Sequence, residues 1–181
     1  MLRNTVNRFG SITKLLHWLI FILMIAQFYF VWSLSEHSPL TDLYIMLHKS
    51  VGLTLLILGI VFFIWHIINS KPRPPEDQPL WQYIVSKAVH HILFLLIILM
   101  PIIGYLLTCA DGKPINFFGW FTIPCLISAN EHFGGIMFLT HETLAFIILF
   151  FVGIHILAAL YHHFICKDSV MKRMFPFTSN E

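Results

Sequence analysis

Three features of the 181-residue sequence predict an all-α membrane protein, a four-transmembrane-helix bundle. Only 11% of the residues are charged and 57% are hydrophobic, whereas a soluble domain carries about 25% charge. Four stretches of 21 to 24 residues contain no Asp, Glu, Lys or Arg. The basic residues outside them fall mostly on one side. The composition excludes intrinsic disorder, and a net charge of +2 offers no basic stripe for nucleic acid.

The first stretch is Leu15–Ser35, followed by Ser50–Ser70, Ala88–Ala110 and Thr143–Cys166. About 20 apolar residues cross the hydrocarbon as a helix. Lipid offers no partner to an unpaired N–H or C=O, so a helix is the natural form. With their apolar flanks the spans are expected at 15–35, 46–69, 83–109 and 139–166, within one membrane domain over 1–181. A cleavable signal peptide is the rival reading of the N-terminus, since Ser33-Leu34-Ser35 faintly resembles a cleavage site. The apolar run is too long for it.

Between the first two spans lies a short loop with His37. Lys71–Gln78 (KPRPPEDQ) reads as a rigid polar connector, because consecutive prolines cannot continue a helix. Pro114–Asn130 is also free of charge, but Pro114, Gly119 and Pro124 break it. It reads as a structured loop at the membrane interface, held there by Phe117, Phe118, Trp120 and Phe121. His132 is expected in this outer loop region.

Orientation follows from the cations. Arg3, Arg8, Lys14, Lys71, Arg73, Lys87, Lys167, Lys172 and Arg173 lie on the side of the termini, and Lys49 and Lys113 on the other. Nine against two predicts both termini in the cytoplasm. Cys109 and Cys125 then share the outer side, where spacing alone leaves their pairing open. Cys166 reads as a buried or interfacial residue, and the lack of C-x-x-C-H excludes covalent c-type haem.

Eleven histidines equal the lysines and arginines combined. Ionisable side chains inside a bilayer are rare and usually functional. A single one would more simply be a core residue bonded to a carbonyl. His141 and His155, however, are 14 residues apart on the fourth span. That separation is about 21 Å along a helix and returns to within about 40° of the same face. Two imidazoles on one face at two depths suit two stacked haems, each needing a second ligand from another helix. His48 starts the second span at the level of His141, and His17 lies in the same half of the membrane as His155. Bis-histidine ligation leaves no open iron site and favours electron transfer. Spacing also admits His66, His90 or His91 in place of His17. His162 and His163 lie near the inner surface, as interfacial residues or as proton or quinone contacts. Gly52 and Gly59 either make room for a macrocycle or, more simply, allow close helix packing.

Several segments together resemble the bacterial cytochrome b561 family. They are His17-Trp18, Leu47-His48-Lys49-Ser50-Val51-Gly52, Met100-Pro101-Ile102-Ile103-Gly104, His141-Glu142-Thr143-Leu144-Ala145, Gly153-Ile154-His155, His162-His163-Phe164, Lys167-Asp168 and Arg173-Met174-Phe175-Pro176. Their order and spacing cover nearly the whole chain. The resemblance implies a four-helix cytochrome of the bacterial inner membrane with two haem b groups, their iron held by His48–His141 and His17–His155. Within the family it points to a superoxide oxidase: superoxide leaves as dioxygen, its electron crosses from an outer to an inner haem, and ubiquinone is reduced. Lys49 is a candidate for attracting superoxide, and Trp18, His90 and His162 for the quinone; no catalytic residue is assigned. Against superoxide steering, Glu36, Asp42, Asp111, Glu131 and Glu142 make the outer face acidic by count. Glu142 either orients the neighbouring imidazole or complements a helix N-terminus.

The alternative is a cytochrome b subunit relaying electrons from a periplasmic dehydrogenase or hydrogenase to quinone. The short outer segments argue against a large partner surface. A haem-free channel or transporter is the third reading. Expected partners are lipid, quinone, superoxide or a donor protein, and a second copy of the chain in a homodimer.

Overall fold

The computed structural model describes residues 1–35, 37–74 and 78–175. Glu36 of the acidic count, the centre of the connector (75–77) and Pro176 lie outside the described residues. Helices α1 (Ser11–Trp32), α2 (Thr41–Ile68), α3 (Leu80–Ala110) and α4 (Glu131–Tyr161) are joined by short links. All four are long and apolar enough to cross a membrane. Each includes the span expected for it or most of it, but all four begin earlier than hydropathy indicated.

Local chemistry explains the boundaries. Asn130 caps α4, its side chain accepting the Phe133 amide at 2.9 Å, and Glu131 complements the dipole in the first turn. Pro79 immediately precedes α3. Pro101 sits inside α3, a placement tolerated where neighbouring helices and hydroxyls satisfy the freed backbone. Hydroxyls within the spans turn back onto their own helices. Thr54 donates to the Ser50 carbonyl at 2.9 Å, Thr108 to Gly104 at 3.0 Å and Thr143 to Leu139 at 2.8 Å. No hydroxyl among these is left unpaired in lipid.

The helices pack in sequence order, α1 on α2, α2 on α3 and α3 on α4. Among the described residues, no comparable helix–helix packing joins α4 to α1 or α2. Only Gly134 and Ile148 are buried on α4, although it has 31 residues. The core lies instead around Ile20, Val51 and Leu55, with Leu23, Phe30, Leu58, Phe62 and Ile97 against them. Gly59 belongs to this contact, since a Cβ there would come within 2.5 Å of Ile97 Cγ2. Close packing, not space for a cofactor, accounts for it.

The termini and the α2–α3 connector meet at one end. Asn4 Nδ2 donates to the Ser70 carbonyl at 2.9 Å, Arg73 N to the Val6 carbonyl at 2.8 Å, and the Arg173 guanidinium to the Arg73 carbonyl at 2.6 Å. Lys14 Nζ and Trp18 Nε1 donate to the carbonyls of Phe175 and Met174 at 2.8 and 2.9 Å. At the opposite end, the segment read as an interfacial loop contains a hairpin, β1 (Ile115–Phe117) antiparallel to β2 (Phe121–Ile123). Phe118 and Gly119 have φ of 51° and 78°, as a primed hairpin turn demands. The Ser50 hydroxyl, fully buried, donates to the Met46 carbonyl at 2.8 Å and accepts the Phe118 amide at 2.9 Å. It anchors the hairpin two residues from His48.

Cys109 and Cys125 form a disulfide that closes the loop onto the end of α3. The sequence separation is 16, and the loop-closure argument gives about 3 kcal/mol of stabilisation for a loop of this length. Cys109→Ser is therefore expected to lower the melting temperature measured in detergent. Thiol titration of the unfolded wild type should find one reactive cysteine before reduction and three after it.

Candidate functional site

Two histidine pairs bridge the helices that do not pack. His17 on α1 faces His155 on α4, with ring centres 6.0 Å apart. His48 on α2 faces His141 on α4 at 6.1 Å. A first-row metal binds an imidazole nitrogen at about 2 Å, so two trans imidazoles place their ring centres roughly 6 Å apart. Both separations fit one metal between each pair, and α4 offers the pairs about 21 Å apart along its axis.

The polar atoms agree with such a use. His17 Nδ1 is buried without a hydrogen-bond partner. His141 Nδ1 is likewise buried without a hydrogen-bond partner. His48 Nδ1 approaches the Gln27 carbonyl at 3.4 Å, which leaves its Nε2 for another partner. Gln27 also donates through Nε2 to the His48 carbonyl at 3.0 Å, so both ends of one residue position His48. Sequence reasoning missed Gln27. Its signal was a carboxamide in the middle of an otherwise apolar span.

Gly52 and Gly104 shape the same end. A Cβ at Gly52 would come within 3.0 Å of Gln27 Nε2, and one at Gly104 within 2.9 Å of His141 Cε1. The His141 ring therefore lies where α3 has no side chain. Gly104 stood in a recognised segment, but nothing in the sequence linked it to His141. Lys49 is half-buried beside this pair and within electrostatic reach of Lys113 and Asp111.

The rivals to His17 separate by contact. His66 turns to Phe94, with ring centres 5.4 Å apart, and exposed His91 points Nδ1 at the Lys87 carbonyl at 2.6 Å. His90 lies against His155 at 5.1 Å, edge to face. Its Nδ1 bonds the Ser86 carbonyl at 2.6 Å. It comes from α3, which packs directly on α4.

Other expected residues are placed differently. Trp18 is edge-on to His17 at 5.6 Å and bonded to the C-terminal segment. His162 Nδ1 contacts Asp168 Oδ2 beyond the last turn of α4. His37 is exposed. His132 is exposed on the first turn of α4, not in a loop, because that helix starts at Glu131. The same start corrects Glu142: it is exposed about three turns into the helix, too far to complement the N-terminal dipole.

Half-buried imidazoles that meet across a gap between membrane-spanning helices fit a b-type cytochrome, a haem-binding carrier of electrons. Residues 8–177 match the profile described as prokaryotic cytochrome b561, and the chain belongs to that family. It is a multi-pass bacterial membrane protein. It is 35% identical over 185 residues to cytochrome b561 homolog 2 of Escherichia coli K12, covering 98% of this chain and 96% of the relative. With cytochrome b561 homolog 1 of the same organism it shares 29% over 175 residues, covering 94% and 98%. A probable superoxide oxidase CybB of Yersinia pestis is 30% identical over 172 residues, covering 89% of this chain and 92% of that one.

Proposed function

We propose that the chain holds two haem b groups, one between His48 and His141 and one between His17 and His155. With them it oxidises superoxide and reduces ubiquinone. The observation that carries this reading is the match of two imidazole separations, 6.0 and 6.1 Å, on the side where α4 faces α1 and α2. Bound there, the haems would supply one-electron chemistry. His48 is oriented by Gln27, and His141 by the room at Gly104. The relative named as a probable superoxide oxidase supports the choice of substrate.

The balanced reaction takes two superoxide anions, one quinone and two protons to two dioxygen molecules and one quinol. The cation count supports a periplasmic hairpin end and cytoplasmic termini. Lys49 and Lys113 then form the local positive potential for the anion, despite the acidic outer face. Trp18 and His90, beside the His17–His155 pair, are the proposed quinone contacts. His162 would join them only through Nε2, since its Nδ1 is engaged by Asp168.

Stopped-flow mixing of the oxidised holoprotein with superoxide should reduce it faster than superoxide dismutates, with quinol as product. No such reduction would overturn this activity and favour relay from a donor protein. Lys49→Glu combined with Lys113→Glu should slow the bimolecular step by about tenfold at low salt, with unchanged haem content. The difference should shrink as salt screens the exposed charge.

A further inference from the structure

At the end of α4 a second constellation lies apart from the four histidines. The last turn, His162–Cys166, is a π-helix, a form that often marks functional positions. Lys167 follows in the left-handed conformation at φ 54°. This reverses the chain, and the Asp168 amide bonds back to the His162 carbonyl at 3.2 Å. Asp168 is held from both sides. Its Oδ1 accepts the Val170 amide at 2.9 Å, and its Oδ2 meets His162 Nδ1. Nδ1 of His162, Sγ of Cys166 and a carboxylate oxygen of Asp168 all lie within 4.8 Å of one another.

We propose that His162, Cys166 and Asp168 form a binding site for a zinc-type divalent cation. An imidazole, a thiolate and a carboxylate are the donor types that zinc accepts, at about 2.0 to 2.3 Å each, which sets ligand atoms roughly 3.5 Å apart in a tetrahedron. Cys166 is exposed and unbridged, so rotation of its side chain, with the His162–Asp168 contact opening to admit the ion, closes the set. Thiolate and carboxylate together neutralise the ion's two charges. That matters beside Lys167, Lys172 and Arg173, which would repel an uncompensated cation. A solvent molecule completes the fourth position. Zinc here would staple the chain after Lys167 to α4. That segment reaches Trp18 through Met174, so the staple would steady the wall next to His17.

The test uses the full-length holoprotein in detergent and the alkylation rate of Cys166, followed by mass spectrometry. The disulfide leaves Cys166 as the accessible thiol, and this readout depends neither on haem absorbance nor on activity. After chelator treatment, stoichiometric Zn²⁺ should slow alkylation about tenfold or more, because a metal-bound thiolate is withdrawn from reaction. Asp168→Asn and His162→Gln should each abolish this protection while leaving the haem spectrum intact. Unprotected wild-type Cys166 would overturn the site without recourse to any variant. Protection retained in either variant would overturn the three-ligand arrangement.

Discussion

His48→Ala and His141→Ala are each expected to yield a folded protein with one haem b per chain in place of two. The His17–His155 pair stands about 21 Å away along α4 and takes its second imidazole from α1 in place of α2, so it should keep its haem. His17→Ala and His155→Ala should show the converse, retaining the haem at the hairpin end. The loss follows from geometry: with one imidazole gone, the remaining ring of that pair has lost the partner it faces across the gap. Superoxide-driven quinone reduction should fall to background in all four variants, since the path has lost one of its two carriers. Haem extraction against protein mass is the check. Two normal haems in both His48→Ala and His17→Ala would refute the pairing.

Gly104→Leu should remove the haem at the hairpin end without touching a ligand. Any Cβ at this position meets His141 Cε1 at 2.9 Å, closer than real side chains approach. Leu adds three more carbons, in a helix that packs directly against α4. The ring must then leave its seat, and off-rotamer or backbone shifts of this kind cost about 1–3 kcal/mol each. The expected result is one haem per chain, or two with one iron in a high-spin state. A wild-type spectrum with two low-spin haems would show that the Gly104–His141 contact does not position the ligand.

The spans were legible because lipid selects on composition, and four charge-free runs in 181 residues leave few alternatives. The helix ends were not, because they depend on capping. Asn130 starts α4 at Glu131, eight residues before the apolar span expected at 139, and His132 and Glu142 changed their readings with it. The hairpin escaped because Ile115–Phe117 and Phe121–Ile123 are three residues each, too short for an alternating pattern to register. Pairing of Cys109 with Cys125 turned on the path of that same loop.

Within the site, the 14-residue spacing of His141 and His155 pointed to one face of α4, and both residues face a second imidazole from α1 or α2. It did not choose among His17, His66, His90 and His91, since each choice is a contact between helices distant in sequence. His90 illustrates the limit: its ring lies closer to His155 than that of His17 does, and no spacing in the sequence shows this. Gln27 and Gly104 act through the same kind of contact. Ser50 read as part of a segment, and its anchoring of the hairpin emerged only from the fold.

The central claim is that two histidine pairs hold two haems. It is tested most directly by the haem b content of the purified wild-type chain, measured by pyridine haemochrome against amino-acid analysis, with electron paramagnetic resonance of the oxidised protein. The account predicts two haems per chain and two low-spin ferric signals. One haem per chain, or a high-spin signal at full occupancy, would contradict it.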